Sequence, residues 1–213
     1  MRLHAAILAA LLACTGAAFA QAPPDAEGVV ARYLTTPYGE VNGLRLENGT
    51  LALFAPHLAQ RFFDSSSVGD LVRLSGRNGA DGVMRATSLF NLTTRRTVAD
   101  LAPAPPAPPA NRPLATLERI EVAGTVELVL RGPRGEANAV ILHEGAVVYF
   151  RPDLIRIPLA RQQPFAAIGI GTRGSWGPAL EAVAVGADLA AARAAMQASI
   201  VPPPPPSPPH PLP

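Results

Sequence analysis

Few residues of this chain have the types and spacing that chemistry demands. Gly169-Ile170-Gly171-Thr172-Arg173-Gly174 matches G-x-G-x-x-G, which cradles a pyrophosphate when a strand precedes it and a helix opens after it. Here Ser175-Trp176-Gly177-Pro178 follows and cannot open a helix, so the run reads as the loop before a last strand, with no cofactor. His57, His143 and His210 show no paired spacing, and Cys14 lies too far away to complete a metal site. Ser65, Ser66 and Ser67 lack a G-x-S-x-G elbow. Glu40 and Glu136 each stand alone, whereas paired-carboxylate chemistry needs a second acid close by. The sequons at Asn48 and Asn91 carry no weight in a chain of bacterial character. The reading is non-enzymatic, without metal or cofactor.

Binding chemistry remains. Single-stranded nucleic acid is held by aromatic platforms and cationic side chains. The first half offers Tyr38, Arg45, Arg77 and Asn78, and the second offers Arg134, Tyr149, Arg173 and Trp176. The elements that must position them are written twice. Residues 28–58 align without a gap on residues 124–154, with about two positions in five identical. The pairs include Gly28/Gly124, Leu34/Leu130, Gly39/Gly135, Glu40/Glu136, Asn42/Asn138, Gly49/Gly145, Phe54/Phe150 and Pro56/Pro152.

Each unit reads as five short strands with a helical break after the third. In the first, strands are expected at 29–35, 41–46, 51–54, 70–75 and 83–89, with a helix over 56–63 started by Pro56. The second repeats this at 125–130, 137–142, 146–150, 165–168 and 179–185, with a segment from Pro152 in place of the helix. Asn48-Gly49 marks a hairpin. The order β-β-β-α-β-β is that of a five-stranded Greek-key barrel, the OB-fold, so the fold class is all-β with two such barrels in tandem. Strand periodicity places Leu44, Leu46, Ala52 and Phe54 inside the first barrel, with Val140, Leu142, Val148 and Phe150 inside the second. The outer face then carries Gly43, Arg45, Leu51 and Leu53, or Ala139, Ile141, Val147 and Tyr149. The aliphatic second set demands a cover, and the helix expected over 188–200, with Asp188 as its N-cap, is the nearest candidate. The first barrel is the substitute.

The remaining segments are compositional. Residues 1–20 have a basic start, an apolar run and an A-x-A end, the pattern of a signal peptide. The run is too short to span a membrane, and a lipobox-like Leu11-Leu12-Ala13-Cys14 offers lipidation at Cys14 as the alternative. The expected divisions are barrels at 27–98 and 118–187, a proline-rich linker at 99–114, the helix at 188–201 and a proline-rich tail at 202–213. No disulfide can form, because Cys14 is the only cysteine. Every basic side chain other than histidine is arginine, and the net charge of +2 excludes a strongly basic nucleic-acid stripe.

Thr36-Pro37-Tyr38-Gly39-Glu40-Val41-Asn42-Gly43-Leu44, with Asn48-Gly49-Thr50 and Phe54-Ala55-Pro56-His57-Leu58, resembles bacterial exported proteins with OB-fold, nucleic-acid-binding-like domains. The resemblance implies the fold and a ligand class, single-stranded nucleic acid or another anionic oligomer. It implies no catalytic residue. The other reading is an envelope scaffold whose second barrel binds a protein partner, with the barrels held apart by the proline linker. Either protein would be exported, in the periplasm.

Overall fold

The computed structural model describes residues 25–79, 81–100, 116–132 and 134–200. The expected signal peptide, Cys14, the tail and all of the proline-rich linker but Ala99 and Asp100 lie outside these residues, as do the side chains of Asp25 and Ile200.

The repeated residues build the same barrel twice. In the first, β1 (Asp25–Thr35) pairs with β4 (Leu71–Asn78) along its first half and with β2 (Val41–Leu46) along its second. Strand β3 (Leu51–Phe54) pairs with β2 and, in parallel, with β5 (Met84–Asn91), which returns to β4 and closes the barrel. The second barrel closes the same way, in the order β10-β11-β9-β8-β7. Its strands are β7 (Glu118–Arg131), β8 (Ala137–Leu142), β9 (Val147–Tyr149), β10 (Pro164–Gly174) and β11 (Gly177–Gly186). A strand the sequence did not announce, β6 (Thr97–Ala99), extends the first sheet beside β5.

Each shared residue has its reason. Gly49 and Gly145 close the second hairpin of each unit at φ 87° and 92°, the left-handed region that side chains with a Cβ avoid. Val30, Leu44, Leu46, Ala52 and Phe54 fill the first barrel, and Val126, Val140, Leu142, Val148 and Phe150 the second. Both phenylalanines are buried, so the register read from the repeat holds. The break after β3 is helix α1 (Pro56–Ser65), which plugs the first barrel with Leu58, Ala59 and Phe62. In the second barrel it shrinks to a 3₁₀ turn at Pro152–Leu154.

Three expectations need correction. The glycine run is strand, not loop: β10 continues to Gly174, and the turn is Ser175-Trp176. A Cβ at Gly169 or Gly171 would lie 2.1 or 2.0 Å from a carbonyl oxygen of β11, so the glycines serve strand approach. The C-terminal helix α2 (Leu189–Ile200) is capped as expected, the Ala191 amide donating to Asp188 Oδ1 at 2.8 Å. It does not cover the outer β8–β9 face, however. It packs instead on β10 and β11, with Leu189, Ala192 and Met196 against Ala166 and Ile168.

The β8–β9 face is covered by the first barrel. Leu34, Leu51 and Val83 meet Leu130, Ala139, Ile141, Val147 and Ala179 in a shared buried cluster, flanked by Leu53, Leu128 and Tyr149. The barrels are not held apart; their outer second- and third-strand faces bury one another. This makes one cooperative unit. Calorimetry should show a single unfolding transition, and Ile141→Ala should cost about 2–4 kcal/mol, the usual toll for a truncated buried branched side chain. Two well-separated transitions would contradict it.

Candidate functional site

Polar groups seal both ends of this seam. Arg32 and Arg45 are cross-strand neighbours on β1 and β2. The opposing register shift in β7 falls between Val126 and Leu128, so Glu127 occupies a bulge, a device that re-aims a side chain. Its carboxylate forms an ion pair with Arg45. Arg32 donates to the backbone oxygens of Gly145 at 2.9 Å and Trp176 at 3.4 Å and has no acid of its own. Burial, then the charge of Arg45, pulls the Arg32 guanidinium below its ordinary range, against the pull of Glu127.

The two hairpins after the fourth strands act reciprocally. In the first barrel Asp81 accepts from the Arg131 amide at 3.2 Å and pairs with Arg85 at 2.9 Å, while Arg85 donates to the Arg131 carbonyl at 3.1 Å. In the second, the hairpin tip lays Trp176 edge-on against Tyr33 at 5.3 Å, joining the first barrel's core. Nearby, Asn42 Nδ2 donates to the Tyr149 hydroxyl at 2.7 Å, which donates to the Thr35 carbonyl at 3.3 Å. Tyr38 reaches across to Glu181 at 3.4 Å.

Two clefts open beside the seam. One, of about 480 Å³, is lined by Arg45, Thr50, Asn78, Gly82, Glu127 and Arg161 among others. The other, of about 550 Å³, lies between the first barrel's helix and the β10–β11 hairpin, lined by Thr35, Phe63, Thr172, Arg173 and Trp176.

The structure therefore brings Arg45 and Asn78 into one cleft and Arg173 and Trp176 into the other. Arg77 is on β4, not in a loop, cross-strand from Arg85. Tyr38 is exposed, Arg134 points to solvent near Glu136 at 3.8 Å, and Tyr149 is spent on the seam. Arg173 is paired with Glu118 at 2.9 Å. Sequence reasoning missed Arg32, Glu127 and Arg161. The faces they serve were legible in the strand alternation, but the bulge that turns Glu127 toward Arg45 has no signal in one sequence.

The residues set aside have structural partners. His57 Nε2 meets Asp100 Oδ1 at 2.9 Å. Asn91 is fully buried, donating to Ser65 O and Asp70 Oδ2 and accepting from the Thr93 and Thr94 amides. Among the described residues no three His, Cys, Asp or Glu side chains come together as metal ligands. Among the same residues no helix is long and apolar enough to cross a membrane.

No family model matches the chain, and no curated protein does. Among solved structures it is similar to the single-stranded DNA binding protein from Thermus aquaticus, at 15% identity. That match covers 76% of this chain and 90% of the other, with a TM-score of 0.25. A deletion mutant of the same protein matches at 16% identity over 78% of this chain and 93% of the other, with a TM-score of 0.22.

The seam carries an acid sensitivity of defined sign. Burial raises the Glu127 carboxyl, but the hydrogen bond and charge of Arg45, with His143 and Arg32, outweigh it and hold it below the ordinary range. Asp81 behaves likewise: burial opposes, and Arg85 with the Arg131 and Val83 amides prevails. A carboxyl lowered on folding stabilises the fold fully above its unfolded value, about 4 for these acids, and less as pH falls through the folded one. Stability should therefore be flat at neutral pH and fall in acid. Glu127→Gln should shrink that acid limb while lowering neutral stability by about 1–3 kcal/mol, since it leaves Arg45 uncompensated. Urea melts across pH 2.5–7 would read both. The chain is a tandem of two OB-like barrels joined face to face.

Proposed function

We propose that this chain is an exported, non-enzymatic binding protein that holds a segment of an anionic oligomer in the cleft lined by Arg45, Asn78 and Arg161. The observation that supports it is that the two acids of the cleft are engaged while one of its two guanidinium groups is not. Arg45 is matched by Glu127, and Asp81 is committed to Arg85 and the Arg131 amide. Arg161 stands exposed at the cleft wall with no ion-pair partner among the described residues. Phosphates or carboxylates entering here meet the Arg161 charge beside the partly buried Arg45, where an opposite charge gains more than in open water. Thr50, Asn78 and the glycines of the lining add neutral donors.

The buried faces limit the mode of binding. A strand cannot lie across the second and third strands of either barrel, because Leu51, Ile141 and Val147 are packed there. Contact is confined to the cleft mouth, which fits a short segment and modest affinity. A protein partner is the second reading, favoured by an exposed apolar strip on the second barrel. There Ile170 and Val183 are 44% and 51% exposed, beside Leu154, with Arg151, Asp153 and Glu181 around them.

The test is binding of the mature chain to oligo(dT) and to heparin across a salt series. Binding should weaken as salt rises, and Arg161→Ala should weaken it and reduce the log–log slope by about 1. Arg161 makes no seam contact, so the effect should come with an unchanged melting temperature. No binding at low salt retires the oligomer reading and leaves the Ile170–Val183 strip as the site to probe with envelope extract.

A further inference from the structure

The cleft on the far side of the seam has a different chemistry. We infer that the groove between helix α1 and the β10–β11 hairpin, floored by Trp176 and Phe63, is a binding site for the sugar ring of a neutral glycan.

The floor is aromatic and fixed. Tyr33 is packed edge-on by Phe63 at 5.0 Å and by Trp176 at 5.3 Å, and its hydroxyl donates to the Ser66 carbonyl at 2.6 Å. The Trp176 backbone is held in turn by Arg32. Phe63 remains 37% exposed, on the flank of α1 beside its buried Ala59 and Phe62. A rigid aromatic floor that still meets solvent offers a flat apolar surface at low entropic cost to whatever lies on it.

The walls are neutral and hydroxylated. Thr35, Thr116, Thr172 and Ser175 line the groove. Its one guanidinium, Arg173, is already paired with Glu118. No free cation is on offer to a phosphate, which sets this groove apart from the arginine cleft, while a purely apolar ligand would leave the hydroxyls unmatched. Val41 and Gln60 also line a smaller adjoining hollow of about 280 Å³, with Glu40 and Asn42. There Asn42 Oδ1 is buried with no hydrogen-bond partner among the described residues, its amide nitrogen being committed to Tyr149. A buried acceptor without a donor is costly, and a ligand hydroxyl would meet it. Apolar ring faces with equatorial hydroxyls are the property of a pyranose: the C–H face lies on the aromatics, and the hydroxyls reach the threonines, Glu40 and Asn42.

Trp176 is the only tryptophan of the chain, so its fluorescence reports the site directly. The full mature chain would be titrated with neutral tetrasaccharides of glucose and of N-acetylglucosamine, with calorimetry alongside and oligo(dT) as the competing probe. The expected result is a saturable change in Trp176 emission with at least one neutral sugar. Phe63→Ala should weaken it about tenfold or more, Thr172→Val should weaken it too, and Arg161→Ala should leave it unchanged. Phe63 packs on the buried Tyr33 as well as meeting solvent, so thermal melts should verify that its variant folds. Silence toward every sugar by both methods would overturn the inference. So would emission changes with oligo(dT) alone, or sugar affinity unaltered in a folded Phe63→Ala protein.

Discussion

Everything in this molecule follows from two aliphatic sheet faces that cannot be left in water. Each barrel is small, closed by a parallel pairing between its third and fifth strands, and filled by side chains of alternate positions. The positions between them point outward, and they put Leu51 and Leu53 of the first unit against Ala139, Ile141 and Val147 of the second. Burying such a surface is worth about 25 cal/mol per Å². Only another sheet face matches its extent. Helix α2 is engaged with Ala166 and Ile168 of β10, so the long faces find each other.

That constraint decides where a ligand can go. A free five-stranded barrel of this type presents its second and third strands with the loops around them. Here those strands are core, and the hairpins that would flank a ligand grip the neighbouring barrel, Asp81 at Arg131 and Trp176 at Tyr33. What stays accessible is the edge of the contact, where surfaces of two barrels diverge. One edge gathers guanidinium groups and the other gathers aromatic rings and hydroxyls. The chemistry of the two clefts differs because the flanking loops differ, not because the barrels do.

Much of this was legible in one sequence because the repeat supplied a second copy to compare. Repeated Phe54 and Phe150 gave the inner face, repeated glycines gave the hairpins, and the aliphatic run Ile141, Val147 announced a surface needing cover. What covers it was not legible, since hydrophobic pattern states a demand without naming the supplier. The proline-rich stretch between the units suggested separation, yet the contact is made by Leu34 and Leu51, far from it in sequence. Arg45 and Asn78 were found as residues but not as a cleft. Their neighbours Glu127 and Arg161 come from the other barrel, and the bulge that delivers Glu127 is a matter of register.

The reciprocal grip of the two hairpins has the form of a two-fold contact, in which each copy gives the same patch and receives the same patch. In a pair of identical chains every residue in such a contact serves twice, and a change that helps at one end must be tolerated at the other. Joining the copies in one chain lifts that rule, and also replaces a concentration-dependent association with an intramolecular one. The consequence is written at the positions that have diverged. Arg45 stands where the second unit has Ile141, and Glu127 where the first has Ala31, so their ion pair exists once. A symmetric ancestor would have had to carry that charge pair at both ends or at neither. The fused chain is free to keep one end charged and make the other aromatic, which is how a duplicated barrel comes to hold two unlike clefts.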